Sequence, residues 1–155
     1  MPTFDFSYTV NAPQEAVVAF HHDTSVLKML TPPPIIVQIH SYEPLAEDSI
    51  ANFTLWFGPF PVHWQAIHSN VNEKGFTDTQ ARGPLKRWRH THRFSGKSDE
   101  TTQVDEHIEY EYENGIRGLT GRLLFSKPAL YLLFTARKLI TRRQIRKQVP
   151  MGQAA

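Results

Sequence analysis

The chain has 155 residues, with 17 Lys and Arg against 15 Asp and Glu, and it contains no cysteine. This length suits one domain with its own core, and the lack of cysteine excludes disulfides, thiolate nucleophiles and cysteine-based metal sites. No apolar stretch is long enough to span a bilayer, and the first residues lack the features of a signal peptide, so we expect a cytoplasmic protein.

The N-terminal part predicts one strand followed by two short helices. Apolar and polar residues alternate from Thr3 to Val10, which is the period of a strand with one buried face. Asn11-Ala12-Pro13 predicts a helix start, with the Asn side chain as N-cap and the proline in the first turn. A second short helix is expected from Ser25 to Leu30, because the prolines at 32–34 end it.

Six further strands are predicted along the middle of the chain. They are expected at Ile35 to Tyr42, Ser49 to Phe57, Val62 to Asn72, Phe76 to Arg82, 87–94 and 104–112. The last two are expected to be joined by the polar loop Ser95 to Thr101. Glycines at 115, 118 and 121 follow the strands, and their spacing predicts a flexible hinge before the final segment.

The final segment predicts one long amphipathic helix from Pro128 to Gln148, with leucine, isoleucine and phenylalanine at near-helical spacing. Such a helix is about 30 Å long at roughly 1.5 Å per residue, which is enough to cross a sheet. Seven antiparallel strands with one apolar face need a cover. We therefore predict an α+β domain over residues 1–149, with a curved sheet that grips this helix around a cavity, and a disordered tail at 150–155.

Two of the predicted strands direct polar side chains to the same interior as apolar ones. In residues 87–94 the arginines share one face, so Trp88, His90, His92 and Phe94 share the other. In the following strand Val104, Glu106, Ile108 and Tyr110 face one way by the same rule. Buried polar groups are unfavourable without partners, and a cavity that binds a ligand would account for them.

The hairpin between these strands predicts a contact between imidazole and carboxylate. If its centre lies near Ser98, His90 is opposite Glu106 and His92 is opposite Val104, about 4.5–5.5 Å apart at Cβ. A register shift by two residues still leaves Glu106 beside one of the histidines. Burial lowers the pKa of a histidine and a carboxylate raises it, so the sequence leaves the charge state of the pair open.

Four segments resemble one known protein group. They are residues 58–64 (Gly-Pro-Phe-Pro-Val-His-Trp), 75–78 (Gly-Phe-Thr-Asp), 82–94 (Arg-Gly-Pro-Leu-Lys-Arg-Trp-Arg-His-Thr-His-Arg-Phe) and 106–110 (Glu-His-Ile-Glu-Tyr). With the order of elements, they resemble small members of the START-like, or SRPBCC, superfamily, which includes polyketide cyclases and pollen-allergen-type proteins. The resemblance covers nearly the whole chain.

The resemblance implies a helix-grip fold with a cavity for a hydrophobic small molecule, frequently without catalysis. This sequence departs from the group at two places. Members of the subgroup usually carry Asp where this chain has Glu106, and the glycine-rich loop of the pollen-allergen branch is missing, since residues 43–49 contain no glycine. The ligands of that branch are therefore not carried over.

We therefore predict a protein that binds a hydrophobic small molecule, such as a lipid, sterol or polyketide, for transport or sequestration and without a cofactor. The residues predicted to line its cavity are Tyr8, Trp64, Trp88, His90, His92, Phe94, Glu106, Ile108, Tyr110 and Phe134. Each aromatic residue taken singly fits a plain core position equally well, and the polar residues could serve only to satisfy one another.

An enzyme is the main alternative to a binding protein. In that case His90 or His92 acts as general acid or base, oriented by Glu106, in a cofactor-free cyclase, isomerase or dehydratase. The same three residues could also ligate a metal ion. Because no pattern of supporting residues around them is recognisable, we predict no metal site.

The C-terminal part carries an excess of positive charge. From Asn114 onwards there are nine Lys and Arg and no acidic residue, whereas residues 1–113 hold eight basic and fifteen acidic residues, a net charge of −7. A basic helix packed against an acidic sheet accounts for this distribution. The alternative is an interaction surface for a membrane or another protein. We expect no nucleic acid as partner.

Overall fold

A computed structural model describes residues 1–149, which form one seven-stranded antiparallel sheet and four helices. In chain order the elements are β1 (Thr3–Val10), α1 (Gln14–His22), α2 (Val26–Leu30), β2 (Ile35–Tyr42), β3 (Ile50–Phe57), β4 (Phe60–Asn72), β5 (Gly75–Arg82), β6 (Arg87–Ser98), β7 (Thr101–Glu111), α3 (Arg117–Leu124) and α4 (Lys127–Gln148). The tail predicted at 150–155 lies outside the described residues.

The strands are arranged in the order β1-β7-β6-β5-β4-β3-β2, and all neighbours are antiparallel. Consecutive strands from β2 to β7 are therefore neighbours, and β1 joins the sheet beside β7. The predicted curved antiparallel sheet and long C-terminal helix are both confirmed. This order places β5, β6 and β7, which carry the polar residues of the interior, side by side.

The alternation predicted for β6 and β7 is confirmed residue by residue. Even-numbered residues from 88 to 94 and from 102 to 110 are buried, and their odd-numbered neighbours are more exposed. The polar loop predicted at Ser95 to Thr101 is wrong, because both strands continue until only Asp99 and Glu100 form the turn. This shorter turn also moves the centre of the hairpin.

The pairing of β6 with β7 consequently differs from the predicted register by two residues. His92, not His90, is opposite Glu106, and His90 is opposite Ile108. Since side chains alternate faces with a period of two, a shift by two keeps every buried residue on the inner face. Glu106 therefore stays next to the histidines.

The start of α1 differs from the prediction. Pro13 rather than Asn11 occupies the N-cap, with no side-chain capping bond, and the Pro13 carbonyl accepts hydrogen bonds from the backbone N–H groups of Ala16 and Val17. Pro13 has extended dihedral angles and its carbonyl already starts the helix. Asn11 thus precedes the cap by two residues, too early to cap the first turn.

Two of the three glycines predicted to form a hinge instead pack closely, whereas Gly115 is exposed and has nothing within 4 Å of an added Cβ. Gly118 and Gly121 are buried in α3. A Cβ on Gly118 would lie 1.8 Å from the carbonyl oxygen of Glu113, and one on Gly121 would lie 2.9 Å from Leu85 Cδ2. Their spacing therefore reflects close contact between the helix and its surroundings.

The long helix α4 begins at Lys127 after the N-cap Ser126, whose Oγ accepts a hydrogen bond from the backbone N–H of Ala129. Pro128 lies in the first turn, where its missing N–H leaves no bond unmade. Toward the other end, Arg142 Nε donates to the Thr9 carbonyl oxygen over 2.8 Å and ties the helix to β1. Within residues 1–149, neither α4 nor another helix is long and apolar enough to cross a membrane.

Two hydrophobic clusters fill the interior and α4 contributes to both. Phe134 packs in the first cluster with Trp64 and Trp88, and Ile145 packs in the second with Phe94. The inward histidines of β6 belong to neither cluster and lie between Trp88 and Phe94 along the strand. The fold thus leaves a polar position between two apolar ones.

We expect Gly75→Ala, at the start of β5, to lower the free energy of unfolding by about 2–4 kcal/mol. Gly75 has φ of +144°, and an added Cβ would lie 1.9 Å from the backbone oxygen of His92. Urea denaturation measures the change. Gly58→Ala is the control, because Gly58 has φ of +61° and nothing within 4 Å of an added Cβ, so about 1–2 kcal/mol is expected. Equal effects of the two substitutions would contradict the predicted clash.

Candidate functional site

A cavity of about 160 Å³, partly open to solvent, lies between the inner face of the sheet and the helices α2 and α4. Its lining is mostly aromatic and aliphatic, with Val26, Leu27, Leu30, Leu45, Ala51, Phe53, Leu55, Trp64, Ala66, Phe76, Trp88, Phe125, Leu133 and Phe134. The polar lining residues are His21, Asp23, Thr24, His68, Asp78, His90, His92 and Arg137. The cavity is therefore apolar over most of its surface and has a group of ionisable side chains on β5, β6 and α4.

Two carboxylates and two imidazoles form the centre of this polar group. Glu106 Oε2 on β7 lies 2.8 Å from His90 Nε2 and 2.8 Å from His92 Nδ1. The first contact is a hydrogen bond, and the second is an ionic contact outside hydrogen-bond geometry. On the other side, Asp78 Oδ2 on β5 accepts a hydrogen bond from His92 Nε2 over 2.9 Å and lies 3.5 Å from His90 Nδ1. We call Asp78, His90, His92 and Glu106 the tetrad.

The tetrad is almost completely removed from water. The side chains of His90 and Glu106 are 4% and 5% exposed, that of His92 is 10% exposed and that of Asp78 is 20% exposed. The imidazole centroids are 3.9 Å apart, and the His92 ring also stacks on Phe76 at 4.3 Å. Water therefore screens the charges of these groups little, and their interactions are stronger than those of a surface pair.

The two histidines have pKa values shifted in opposite directions. Burial alone lowers the pKa of His92, but the carboxylates of Glu106 and Asp78 outweigh burial and raise it to about 9. Burial lowers the pKa of His90, and the adjacent charge on His92 lowers it further. At neutral pH His92 is thus a cation and His90 is neutral.

Both carboxylates remain ionised because of these imidazoles. Burial by itself would raise the pKa of Glu106, but His92 and His90 together hold it well below its usual value. Asp78 behaves in the same way, with the histidines lowering its pKa against the effect of burial. Since Glu106 accepts the His90 Nε2–H, the lone pair of the neutral His90 is on Nδ1.

Arg137 and His21 complete the polar end of the cavity, and the sequence analysis missed both, together with Asp78. Arg137 lies on the same face of α4 as Phe134 and Thr141, and its guanidinium is 5.1 Å from the centre of the Phe134 ring. The Nδ1–H of His21 donates a hydrogen bond to the Val17 carbonyl oxygen over 2.8 Å. Burial lowers the pKa of His21 to about 4. His68 also lines the cavity and was not predicted.

The ten residues predicted to line the cavity fall into two groups. Trp64, Trp88, His90, His92 and Phe134 line it. Tyr8, Phe94, Glu106, Ile108 and Tyr110 are buried beside it and do not reach the cavity surface. Glu106 acts on the cavity only through the two histidines. The sequence did contain a signal that Arg137 lies on the buried face of the helix. It belongs to the series 130, 134, 137, 141 and 145, which has a helical spacing.

The residues that could hold a metal ion also differ from those considered in the sequence. Ligand atoms of Asp78, His90 and His92 lie within 4.8 Å of one another, so Asp78 takes the place of Glu106. Glu106 instead contacts the opposite nitrogen of each imidazole. Of these ligand atoms, His92 Nε2 and Asp78 Oδ2 already form a hydrogen bond with each other.

Known proteins resemble this chain in structure but not in sequence. No protein-family model and no curated protein sequence matches it. A START superfamily protein from Mycobacterium smegmatis superposes with a TM-score of 0.71 at 9% identity, over 95% of this chain and 99% of the other. The Zhui aromatase/cyclase from Streptomyces sp. R1128 gives 0.68 at 14% identity, over 97% and 98%. Ara h 8.0201 gives 0.64 at 11% identity, over 90% and 97%.

These likenesses establish the fold. The chain has the helix-grip fold shared by the START protein and the aromatase/cyclase, as the resemblance in the sequence implied. At such low sequence identities the superpositions show the fold of the backbone alone, and function depends on the side chains of the site.

We expect the free energy of unfolding to be greatest near pH 6.5. His92 binds its proton more tightly in the folded state, with a pKa of about 9 against 6.5. Its contribution to the free energy of unfolding is therefore complete below pH 6.5 and is lost as the pH rises to 9. This loss is about 3 kcal/mol. On the acid side, His21 and His90 bind protons less tightly when folded, and stability falls as the pH drops. Urea denaturation at a series of pH values gives the profile.

His92→Gln tests the origin of the alkaline limb. Glutamine does not titrate, so the decrease between pH 6.5 and 9 should largely disappear in this variant. His107→Gln is the matched control, because His107 is an exposed histidine that also contacts a carboxylate, that of Asp5. The assignment is wrong if both variants keep the same alkaline decrease as the wild type.

Proposed function

We propose that this protein binds a hydrophobic small molecule in the cavity between the sheet and α4. The observation that supports the proposal most directly is the cavity itself, whose lining is aromatic and aliphatic except for ionisable side chains at one end. Ligand sites in proteins typically combine an apolar wall with a few polar groups that orient the ligand. A lipid, sterol or polyketide-like molecule has this character.

The size of the cavity limits what can be enclosed. A volume of about 160 Å³ is close to that of engineered protein cavities that accept a benzene molecule. One ring or a short chain fits inside, and a longer ligand would extend through the side that is open to solvent. A ligand of about 15 heavy atoms at roughly 0.3–0.4 kcal/mol per atom would gain about 5–6 kcal/mol, which corresponds to a Kd of about 50–200 μM.

The fold is compatible with this function. The START superfamily protein and the aromatase/cyclase that superpose on this chain have the same sheet and long helix, and we infer that the space between these elements serves a ligand here as well. Transport and sequestration are the two roles in which we expect such binding to be used. The cytoplasmic location stays a prediction from the sequence.

The first test is whether the protein retains or takes up such a molecule. Native mass spectrometry of freshly purified protein should show an additional mass that disappears on denaturation, and a neutral probe such as Nile red should bind with enhanced fluorescence. Only the mass of the free chain, together with no uptake of Nile red, would contradict the proposal.

Ala66→Leu should weaken Nile red binding at least tenfold, because Ala66 lines the cavity and the larger side chain fills part of it. Fluorescence titration measures the affinity, and thermal unfolding checks that the variant is folded. Ala81→Leu makes the same change at an exposed position of β5 and should leave the affinity unchanged. Equal affinities in the wild type and both variants would place the probe outside the cavity.

Acid–base catalysis is a second candidate, favoured by the opposite pKa shifts of His90 and His92. Adjacent groups with separated pKa values are suited to act as base and acid. The neutral His90 Nδ1 would remove a proton from the carbon next to a carbonyl, and the His92 cation would give a proton to a departing hydroxyl group. Water leaves, and transfer of a proton from His90 to His92 restores both groups.

Deuterium exchange tests this candidate without a known substrate. In D₂O, an aryl 1,3-diketone should exchange its α-hydrogens faster with the wild-type protein than with His90→Gln, by about 10²-fold or more. NMR measures the exchange rate. His107→Gln, which alters an exposed imidazole, should exchange like the wild type. The catalytic role is excluded if His90→Gln is folded and accelerates exchange as well as the wild type does.

A further inference from the structure

Arg137 is the one group at the polar end of the cavity that the tetrad leaves without a partner. Its Nε is buried and has no hydrogen-bond partner. Among residues 1–149 every ion pair joins other groups, and Arg137 takes part in none. Its guanidinium lies against the Phe134 ring and lines the cavity. A guanidinium held in this way can still donate several hydrogen bonds.

The two nearby carboxylates are already engaged. Glu106 and Asp78 are close enough to affect Arg137 electrostatically, yet both contact the imidazoles of the tetrad instead. Burial disfavours the charged form of Arg137 and lowers its pKa, but arginine stays protonated in proteins. Arg137 is half-buried, and its guanidinium contacts the Phe134 ring but forms no ion pair with an acidic side chain of residues 1–149. A partly buried cation without a counter-charge is unfavourable, so a bound anion would stabilise it.

We propose that Arg137 binds the carboxylate of the ligand, so that the ligand class is a hydrophobic monocarboxylic acid whose apolar part occupies the aromatic end of the cavity. This inference rests on the proposed binding function and adds the chemistry of the head group. The planar guanidinium matches a carboxylate in shape and can donate two parallel hydrogen bonds to it. The guanidinium carbon also lies 5.1 Å from the centre of the Phe134 ring, within the range of a cation–π contact.

The charges around Arg137 favour a single negative charge on the ligand. With His92 and Arg137 as cations and Asp78 and Glu106 as anions, the polar end is neutral before binding. One added negative charge contacts Arg137 directly, whereas a phosphate dianion would add a second charge next to Asp78 and Glu106 and be repelled. An amine would meet Arg137 as a like charge. The order of affinity should therefore be carboxylate, then phosphate or alcohol, then amine.

A set of ligands with one chain and different head groups tests this order. Decanoate, decan-1-ol, decyl phosphate and decylammonium are titrated into the full chain at pH 7, below the critical micelle concentration of each. Binding is followed by the fluorescence of Trp64 and Trp88, which line the cavity, and by calorimetry. We expect decanoate to bind at least tenfold more tightly than decanol, since a charge-assisted hydrogen bond contributes about 1.5–3 kcal/mol.

Substitution of Arg137 separates the head-group contact from the rest of the site. Arg137→Gln should bind decanoate and decanol equally, with the affinity for decanol unchanged within about twofold, and Arg137→Lys should keep part of the preference for decanoate. Arg143→Gln removes the same charge from an exposed position of α4 and should keep the full preference. Thermal unfolding verifies that each variant is folded, and Arg137→Lys decides the result if Arg137→Gln is not.

The outcomes distinguish the two proposals. If decanol and Nile red bind but decanoate binds no more tightly than decanol, the head-group inference is overturned and the binding function stands. If decanoate is preferred equally in wild type and Arg137→Gln, another group holds the carboxylate and the inference is again overturned. If none of the four ligands and no Nile red binds, both proposals fail.

Discussion

The burial of Glu106 between two imidazoles is the interaction on which the polar interior depends. A carboxylate that is 5% exposed is strongly unfavourable unless cations and hydrogen-bond donors surround it. His90 and His92 supply both contacts from the neighbouring strand, and their remaining nitrogens turn to Asp78 on the next one. The tetrad thus connects β5, β6 and β7 through side chains as well as through the backbone, and removal of any member would take one of two contacts from each of its neighbours.

The same arrangement makes two chemically identical side chains different. His92 lies between two carboxylates and carries a charge, and that charge contributes to keeping His90 neutral. This difference in charge arises because the two ring centres are only about 4 Å apart, in surroundings that screen electrostatic interactions poorly. A site with one neutral and one charged imidazole offers both an acceptor and a donor at neutral pH, which suits a polar head group in a binding protein and a proton transfer in an enzyme.

The apolar part of the cavity and its polar end come from different parts of the fold. Strands β3 and β4 and helix α2 supply most of the aromatic and aliphatic wall, while β5, β6 and α4 supply Asp78, His90, His92 and Arg137. Superposable proteins with other sequences share this framework, so the framework alone does not select a ligand. In the function proposed for this protein, the ligand is selected by the few polar side chains that face the cavity, and Arg137 on α4 is one of them.

The sequence was enough to predict which side chains of β6 and β7 point inward, because that direction depends only on the period of two along each strand. It therefore predicted His90, His92 and Glu106 together, as well as the antiparallel sheet and the long helix. The register depends on the two-residue turn Asp99-Glu100 together with a bulge between Gly96 and Ser98, and the polar run 95–101 concealed both. Asp78 became part of the site through the pairing of β5 with β6. His21 and Arg137 joined it only through tertiary packing, because the tetrad is distant from them in the chain, and only packing brings a charged residue of a basic helix to face a buried strand.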